Sequence, residues 1–311
     1  MFEPGSRVLV AVSGGPDSLC LLHSLLRLRR LLKIDPLCFH FDHRLRQGSE
    51  RDAAYVRGQA KRLNVSFFLR AATSAPMRGE SVEAWAHIAR YQALTEVLEE
   101  VEGGVAAVGH TADDQAETVL LALLRGGGLE AISGMKPVNG PIVRPLLETS
   151  RQETGAFCKA LALRPRRDPM NEDPAFMRVA IRKRVIPQLE VALGRNLRVT
   201  LARTAALLRQ DAEFLDHLAG AARLEVVAGE QAGVVLLRAE RLRELATAVA
   251  GRIVRAALLD LGAFPEGGHV DAVIALASAR PGRSIDLPGG LIARRDKEYV
   301  RLSRPSLRPA S

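Results

Sequence analysis

Apolar and polar positions along the first half of the chain fall into short blocks with two alternating periods. Arg7-Val8-Leu9-Val10-Ala11-Val12 is a continuous apolar run of strand length, as expected of a strand buried on both faces of a parallel sheet. Leu19, Leu21, Leu22, Leu25, Leu26 and Leu28 then recur at helical spacing, and Leu37 to Phe41 reads as a second strand. The same alternation predicts a helix from about Ser49 to Leu63, a strand over Val65 to Leu69 and a Ser/Pro/Gly-containing loop near Thr73 to Glu80. A helix from about Val82 to Glu99, a strand over Val105 to Val108 and a helix from Asp113 to Leu124 complete it. Strand and helix in strict succession predict an α/β fold: an open parallel sheet with helices on both faces, Rossmann-like.

Gly126-Gly127-Gly128 and the Pro-punctuated stretch from Gly134 to Pro145 end this regular pattern, and Pro187 marks a boundary region. Beyond it, Leu193 to Val227 and Arg238 to Leu261 are long, basic, Ala/Leu-rich helical patterns. Ser284 to Ser303 reads as short strands around Pro288-Gly289-Gly290. The expected organisation is a nucleotide-binding catalytic domain over residues 1–190 and a smaller, mostly helical domain with short terminal strands over 191–311.

Composition changes this picture in three respects. The formal charge of +9 on 311 residues favours a polyanionic partner such as nucleic acid, although a basic protein without that role has the same balance. Cys20, Cys38 and Cys158 are far apart in sequence, so no CxxC pair offers a zinc, cluster or redox site. No apolar run approaches the roughly 18 residues of a membrane span, and the N-terminus does not read as a signal peptide. The expected location is the cytoplasm, away from membranes.

Chemistry enters at Ser13-Gly14-Gly15-Pro16-Asp17-Ser18, between the first strand and the first helix. Backbone N–H groups and a helix N-terminus attract phosphate at such a junction. It lacks the GK[ST] element of a Walker A loop and is not GxGxxG. The plain alternative is a tight turn with Asp17 as a stabilising first-turn acid. The loop resembles the pyrophosphate loop of the N-type ATP pyrophosphatases, which implies ATP cleavage between the α and β phosphates, with all six residues at the nucleotide.

Phe41-Asp42-His43-Arg44-Leu45-Arg46 follows the second strand. Gly109-His110-Thr111-Ala112-Asp113-Asp114-Gln115-Ala116-Glu117-Thr118 follows the Val105 strand. Both lie where open-sheet enzymes bind ligands, so Asp42, His43 and Arg46 are candidate ATP contacts. Asp114 and Glu117, three apart on one helical face, are candidates to hold an ammonium and accept its proton, and His110 is a further candidate base. Asp17 and Asp113 are candidate Mg²⁺ ligands. Equally, Thr111-Ala112-Asp113-Asp114 reads as a helix start whose acids answer the macrodipole. Arg90, Arg125, Arg144, Arg178 and Arg182 are candidate contacts to phosphate or tRNA, or solvated charges.

Together with Arg125-Gly126-Gly127-Gly128, Arg144-Pro145-Leu146-Leu147 and Asp168-Pro169-Met170-Asn171-Glu172-Asp173, this order resembles the tRNA(Ile)-lysidine synthase family, in its shorter form. The resemblance implies adenylation of the C2 oxygen of the wobble cytidine of a CAU-anticodon tRNA(Ile). Free L-lysine then attacks that carbon, giving lysidine, AMP and pyrophosphate. Lysine falls to Asp114 and Glu117, and Asp17, Asp114, Glu117 and His110 to catalysis, with ATP and Mg²⁺ required. Three positions depart from the family pattern: Gly127 stands for a Ser, His87 for an Arg and Val179 for an Asn. A thiolase on the same scaffold would need cysteines placed for sulfur or a cluster, and a non-catalytic nucleotide- or tRNA-binding relative is the other alternative. The oligomeric state, a homodimer among the options, is not fixed by the sequence.

Overall fold

The short runs of aliphatic and aromatic residues become the strands β1 (Arg7–Ala11), β2 (Asp35–Asp42), β3 (Phe67–Ala71) and β4 (Val105–Ala107) of a computed structural model. It describes residues 1–166, 177–231 and 233–304. The Asp168 to Asp173 motif and the tail from 305 lie outside the described residues. The intervening helical patterns form α1 (Pro16–Leu32), α2 (Glu50–Leu63), α3 (Val82–Glu100) and α4 (Ala112–Leu124). The Pro-punctuated stretch contains a one-turn helix, α5 (Leu129–Ile132), and a short hairpin, β5 (Val138–Asn139) with β6 (Ile142–Val143). The sheet order is β3-β2-β1-β4-β6-β5, parallel throughout except for that hairpin.

Side chains of a strand alternate between sheet faces, and here each face has its own core. Val8 and Val10 of β1 pack with Leu19, Leu21, Leu22 and Leu25 of α1, Val56 and Ala60 of α2, and Cys158 of α6 (Arg151–Ala160). Leu9, Phe39 and Phe41 face the other way, onto Trp85, Leu94 and Val97 of α3. Each fully buried Leu or Phe contributes about 1.5–3 kcal/mol. The strand order therefore stays fixed while loops at the carboxyl ends of β1 and β4 carry polar chemistry.

A continuous helical run follows: α7 (Met177–Ala180), a π-helical turn at Ile181–Val185, and α8 (Ile186–Leu193). Pro187 lies near the start of α8 and has no N–H to donate, which removes one regular helical bond from the preceding turn. Ile181 and Ile186 pack on Ala116 and Leu121 of α4.

The chain divides into compact units Met1–Arg209 and Gln210–Ser311, within the long helix α9 (Leu197–Val226). In the second unit, α10 (Ala239–Glu244), α11 (Thr247–Asp260) and α12 (Gly267–Leu276) accompany five antiparallel strands ordered β7-β8-β11-β10-β9. The terminal strands β9 (Ser284–Leu287), β10 (Leu291–Arg295) and β11 (Tyr299–Ser303) were legible. The others, β7 (Val227–Gln231) and β8 (Val234–Arg238), were not.

Candidate active site

The order of the sheet reverses between β1 and β4, and the loops leaving these two strands meet there. A Cβ added to Gly109 would stand 3.2 Å from the Asp17 carbonyl carbon and the Ser18 nitrogen, so a side chain there would push the two loops apart by a few tenths of an ångström. In the first loop Gly14 takes φ +92°, a left-handed conformation that costs glycine little. The Ser18 hydroxyl donates to the Gly15 carbonyl at 3.0 Å and accepts from the Ser13 N–H at 3.2 Å. Pro16 opens α1 and Asp17 lies in its first turn. The loop is thus held in shape by its own serines, with the helix N-terminus behind it.

Asp17 does not face open solvent. Thr154 of α6 donates its hydroxyl to Asp17 Oδ1, and Arg151 Nε stands 3.7 Å from Oδ2. Burial raises the Asp17 pKa despite these two groups, with Asp114 and Asp113 adding to the rise. Asp114 and Glu117, which the sequence put on one helical face, do converge, and their common partner is Arg151. Its Nη1 donates to Glu117 Oε1 at 2.8 Å and its Nη2 donates to Asp114 Oδ1. Arg182 Nη1 lies 4.0 Å from the same Glu117 oxygen.

The environment separates the two acids. Burial pushes the Asp114 carboxyl up, but Arg151, His110 and the Thr111 groups outweigh it and hold the pKa below the usual value. For Glu117, burial wins over Arg151 and the pKa rises. Asp114 Oδ2 also accepts from the Thr111 N–H and hydroxyl, each at 2.8 Å, completing the capping box that opens α4. Asp114 is therefore a helix-start residue through Oδ2, while its Oδ1 meets Arg151. Asp113 points elsewhere: its Oδ2 accepts from the Arg151 N–H at 2.8 Å and its Oδ1 faces Arg198 Nε at 3.1 Å. A recess of about 330 Å³ opens here, lined in part by Asp113, Arg151, Arg182 and Arg198.

His110 is half-buried by accessible surface, and desolvation, joined by the field of Arg90, Arg144 and Arg178, pushes its pKa down to about 3 against a raising effect from Asp114. Its Nδ1 accepts from Arg144 Nε at 3.2 Å, and Arg144 Nη1 donates to the Lys136 carbonyl at 2.7 Å. Arg90 is half-buried beside Tyr91, its guanidinium carbon 5.5 Å from the ring centroid, and its buried Nε has no hydrogen-bond partner among the described residues. Arg178 pairs with Glu83 at 2.8 Å. Arg125 lies apart, as the exposed C-cap of α4.

Asp42 Oδ1 accepts from the Arg44 N–H at 2.9 Å, and His43 lies edge-on to Phe41 with ring centroids 4.8 Å apart. Arg46 pairs with Asp52, which also holds Arg166 at 3.1 Å. The Arg166 N–H donates to the Gly14 carbonyl at 2.9 Å, so this chain of charges ends against the phosphate loop. Among the described residues no group of three or more His, Cys, Asp or Glu side chains is placed to hold a metal ion.

Arg151, Thr154 and Arg166 were not singled out from the sequence. The signal for the first two was Ser150-Arg151-Gln152-Glu153, a Ser-x-x-Glu capping box that announces α6 and proves to be one: Ser150 caps the helix and Glu153 reaches back to the Ser150 N–H at 2.8 Å. Nothing in the local sequence says that this helix start meets β1 and β4.

Residues 3–189 match the family model described as a PP-loop domain, and residues 237–301 match one described as a TilS substrate binding domain. Over 99% of its length the chain is 39% identical to a tRNA(Ile)-lysidine synthase of Solibacter usitatus, covering 70% of that protein. It is 40% identical over 91% of its length to one from Salinispora arenicola, covering 86% of it. A third, from Symbiobacterium thermophilum, is 39% identical over 94% of this chain, which spans 64% of that relative. Among solved structures, the U34-tRNA thiolase NcsA from Methanococcus maripaludis with its 4Fe-4S cluster is similar at a TM-score of 0.56. The match covers 67% of this chain and 74% of that one at 16% identity, a likeness of fold alone.

Proposed function

This chain belongs to the tRNA(Ile)-lysidine synthase family, and from that premise we propose that its two-loop crevice joins free lysine to the wobble cytidine of a CAU-anticodon tRNA(Ile) in two steps. The observation that carries the reading is the convergence of Asp114 and Glu117 beside the phosphate loop, an acidic pair next to an anion-binding turn. In the first step the cytidine C2 oxygen attacks the α phosphorus of ATP, and pyrophosphate leaves. In the second the lysine side-chain amine attacks C2, one of its protons is lost, and AMP leaves.

The Ser13–Ser18 loop offers backbone N–H groups and a helix start to the phosphates, and Arg166 stands beside it, linked through Asp52 to Arg46. Mg²⁺ would arrive with the phosphates and supply charge neutralisation there, needing only one or two protein carboxylates. Asp17 fits that part, because its Oδ2 has only the 3.7 Å approach of Arg151; Asp113, with both oxygens engaged, fits a positioning part instead.

A lysine amine, whose ordinary pKa in water is about 10.4, arrives as an ammonium and must lose a proton before it can attack. Glu117 is the better acceptor of the pair, because burial raises its pKa while Asp114 is held low. His110 is ill suited to proton abstraction. With a pKa of about 3 and its Nδ1 already accepting from Arg144, it serves as a neutral, oriented neighbour. The buried Arg144, with the half-buried Arg90 and Arg178, surrounds it with positive charge suited to a tRNA phosphate. The thiolase alternative loses support, since the three cysteines are buried on α1, β2 and α6 and burial raises the pKa of each thiol, so none is a ready thiolate.

The test separates the half-reactions. With Glu117→Gln, adenylated tRNA should still form without lysine, while the lysine KM rises or kcat falls by about tenfold or more. With Asp17→Asn, pyrophosphate release itself should be lost. Equal loss of both steps in Glu117→Gln would assign the carboxylate to the ATP site and refute the lysine placement.

A further inference from the structure

One oxygen of Asp114 and one of Glu117 already meet the same guanidinium. Arg151 Nη1 takes Glu117 Oε1 at 2.8 Å and Nη2 takes Asp114 Oδ1, while Asp114 Oδ2 is committed to Thr111. An ammonium bridging Asp114 and Glu117 would need the place between them that the Arg151 guanidinium now bridges. The two cations, one of the protein and one of the substrate, therefore compete for one seat.

The same guanidinium has a second anion within reach. Its Nε stands 3.7 Å from Asp17 Oδ2, in the first turn behind the phosphate loop. The backbone N–H of Arg151 is fixed by Asp113 at 2.8 Å at the start of α6, so the side chain can exchange partners while its Cα stays in place. A phosphate bound in the loop offers arginine a charged, bidentate partner. Moving there would leave three carboxylates, Asp17, Asp114 and Glu117, with less positive charge. Their need would then be met by an arriving ammonium.

We propose that Arg151 is a positioning residue that fills the place of the lysine ammonium when the phosphate loop holds no nucleotide, and gives it up by turning toward the phosphates when nucleotide binds. This rests on the reading that Asp114 and Glu117 hold lysine. Lysine binding then depends on nucleotide. Thermodynamic linkage requires the reverse as well: lysine must tighten nucleotide by the same factor.

The test is calorimetric titration of lysine into the full chain, with and without α,β-methylene-ATP, which cannot be cleaved between the α and β phosphates. Wild-type protein should bind lysine about tenfold tighter with the analogue, within the usual range of coupling between sites. Arg151→Gln should bind lysine without the analogue as well as wild type does with it, so that the coupling falls to about one. Arg151→Lys, which keeps the charge but not the fork, should show coupling between the two.

Equal wild-type affinity in both states, no lysine binding in either, or full coupling in the Arg151 variants would overturn the proposal. Should Arg151→Gln fail to fold, the wild-type comparison and Arg151→Lys still decide it. Glu117→Gln distinguishes the two levels. If it binds lysine like wild type in both states, the acidic pair is not the lysine site and the underlying reading fails. If it loses lysine while wild type shows no coupling, only the role of Arg151 falls.

Discussion

At the scale of single residues, burial decides which polar groups carry charge. His110 has the residue type of a general base, but its pKa of about 3 leaves it neutral in the fold. Between that value and the ordinary 6.5 the unfolded chain binds the proton and the folded chain does not, so stability falls as pH drops through this window. The slope for one such group is at most about 1.4 kcal/mol per pH unit. His110→Gln should make urea-measured stability fall less steeply between about pH 6.5 and 5 than in wild type; an unchanged slope would show that His110 is protonated in the fold. His87 shows the same physics at a departure from the family pattern. It stacks on Tyr91 with centroids 4.1 Å apart, and burial followed by Arg90, Arg178 and Arg144 lowers its pKa. The permanent charge of an arginine is thus absent there. Gly127 is accommodated differently: a Cβ would come within 2.9 Å of the Ala122 carbonyl and the Ala131 methyl, so this backbone has no room for the family's serine. Val179 is simply buried.

At the scale of elements, the site is an assembly of helix starts. α1, α4 and α6 begin with Pro16, Ala112 and Arg151, and the latter two carry full capping boxes built on Thr111 with Asp114 and on Ser150 with Glu153. Ser150→Ala removes the cap of α6 and should lower stability by about 1 kcal/mol. Because Arg151 follows directly, it should also lower the rate of lysine transfer, as read in a single-turnover assay. Loss of stability with an unaltered rate would mean that the position of Arg151 does not depend on the cap. The helix periods of α1 to α4 and the strands β1 to β4 were legible because apolar spacing alone sets them. The β5–β6 hairpin and β7–β8 were less so: strands of two residues carry no period, and Val227 to Arg238 adjoins helical patterns on both sides.

At the scale of the molecule, the +9 charge belongs with a partner larger than ATP. The second unit presents Arg280 and Arg283 at its surface, within the stretch that matches the substrate binding model. Replacing either with Ala should weaken tRNA binding at moderate salt, leave ATP affinity alone, and reduce the dependence of log K on log salt by about one unit. An unchanged slope would remove that residue from the tRNA contact. No helix among the described residues is long and apolar enough to cross a membrane.

The sequence by itself determined the α/β class, the order of the first strands and helices, the phosphate loop and the acidic pair at i and i+3. Each of these depends on residues close together in the chain, through apolar period, turn chemistry or helical register. Only the tertiary structure decided what the acids touch. Arg151 is 34 residues from Glu117, 37 from Asp114 and far beyond that from Asp17. Its place in the cluster follows from α6 packing against α1 on one sheet face, where Cys158 shares a core with Leu21 and Leu22 and its thiol donates to the Pro16 carbonyl at 3.3 Å. Likewise, no local pattern distinguishes a solvated His110 from one half-buried beside Arg144. The field at a side chain is summed over everything folded around it, and that sum exists only once the sheet has brought the loops of β1 and β4 together.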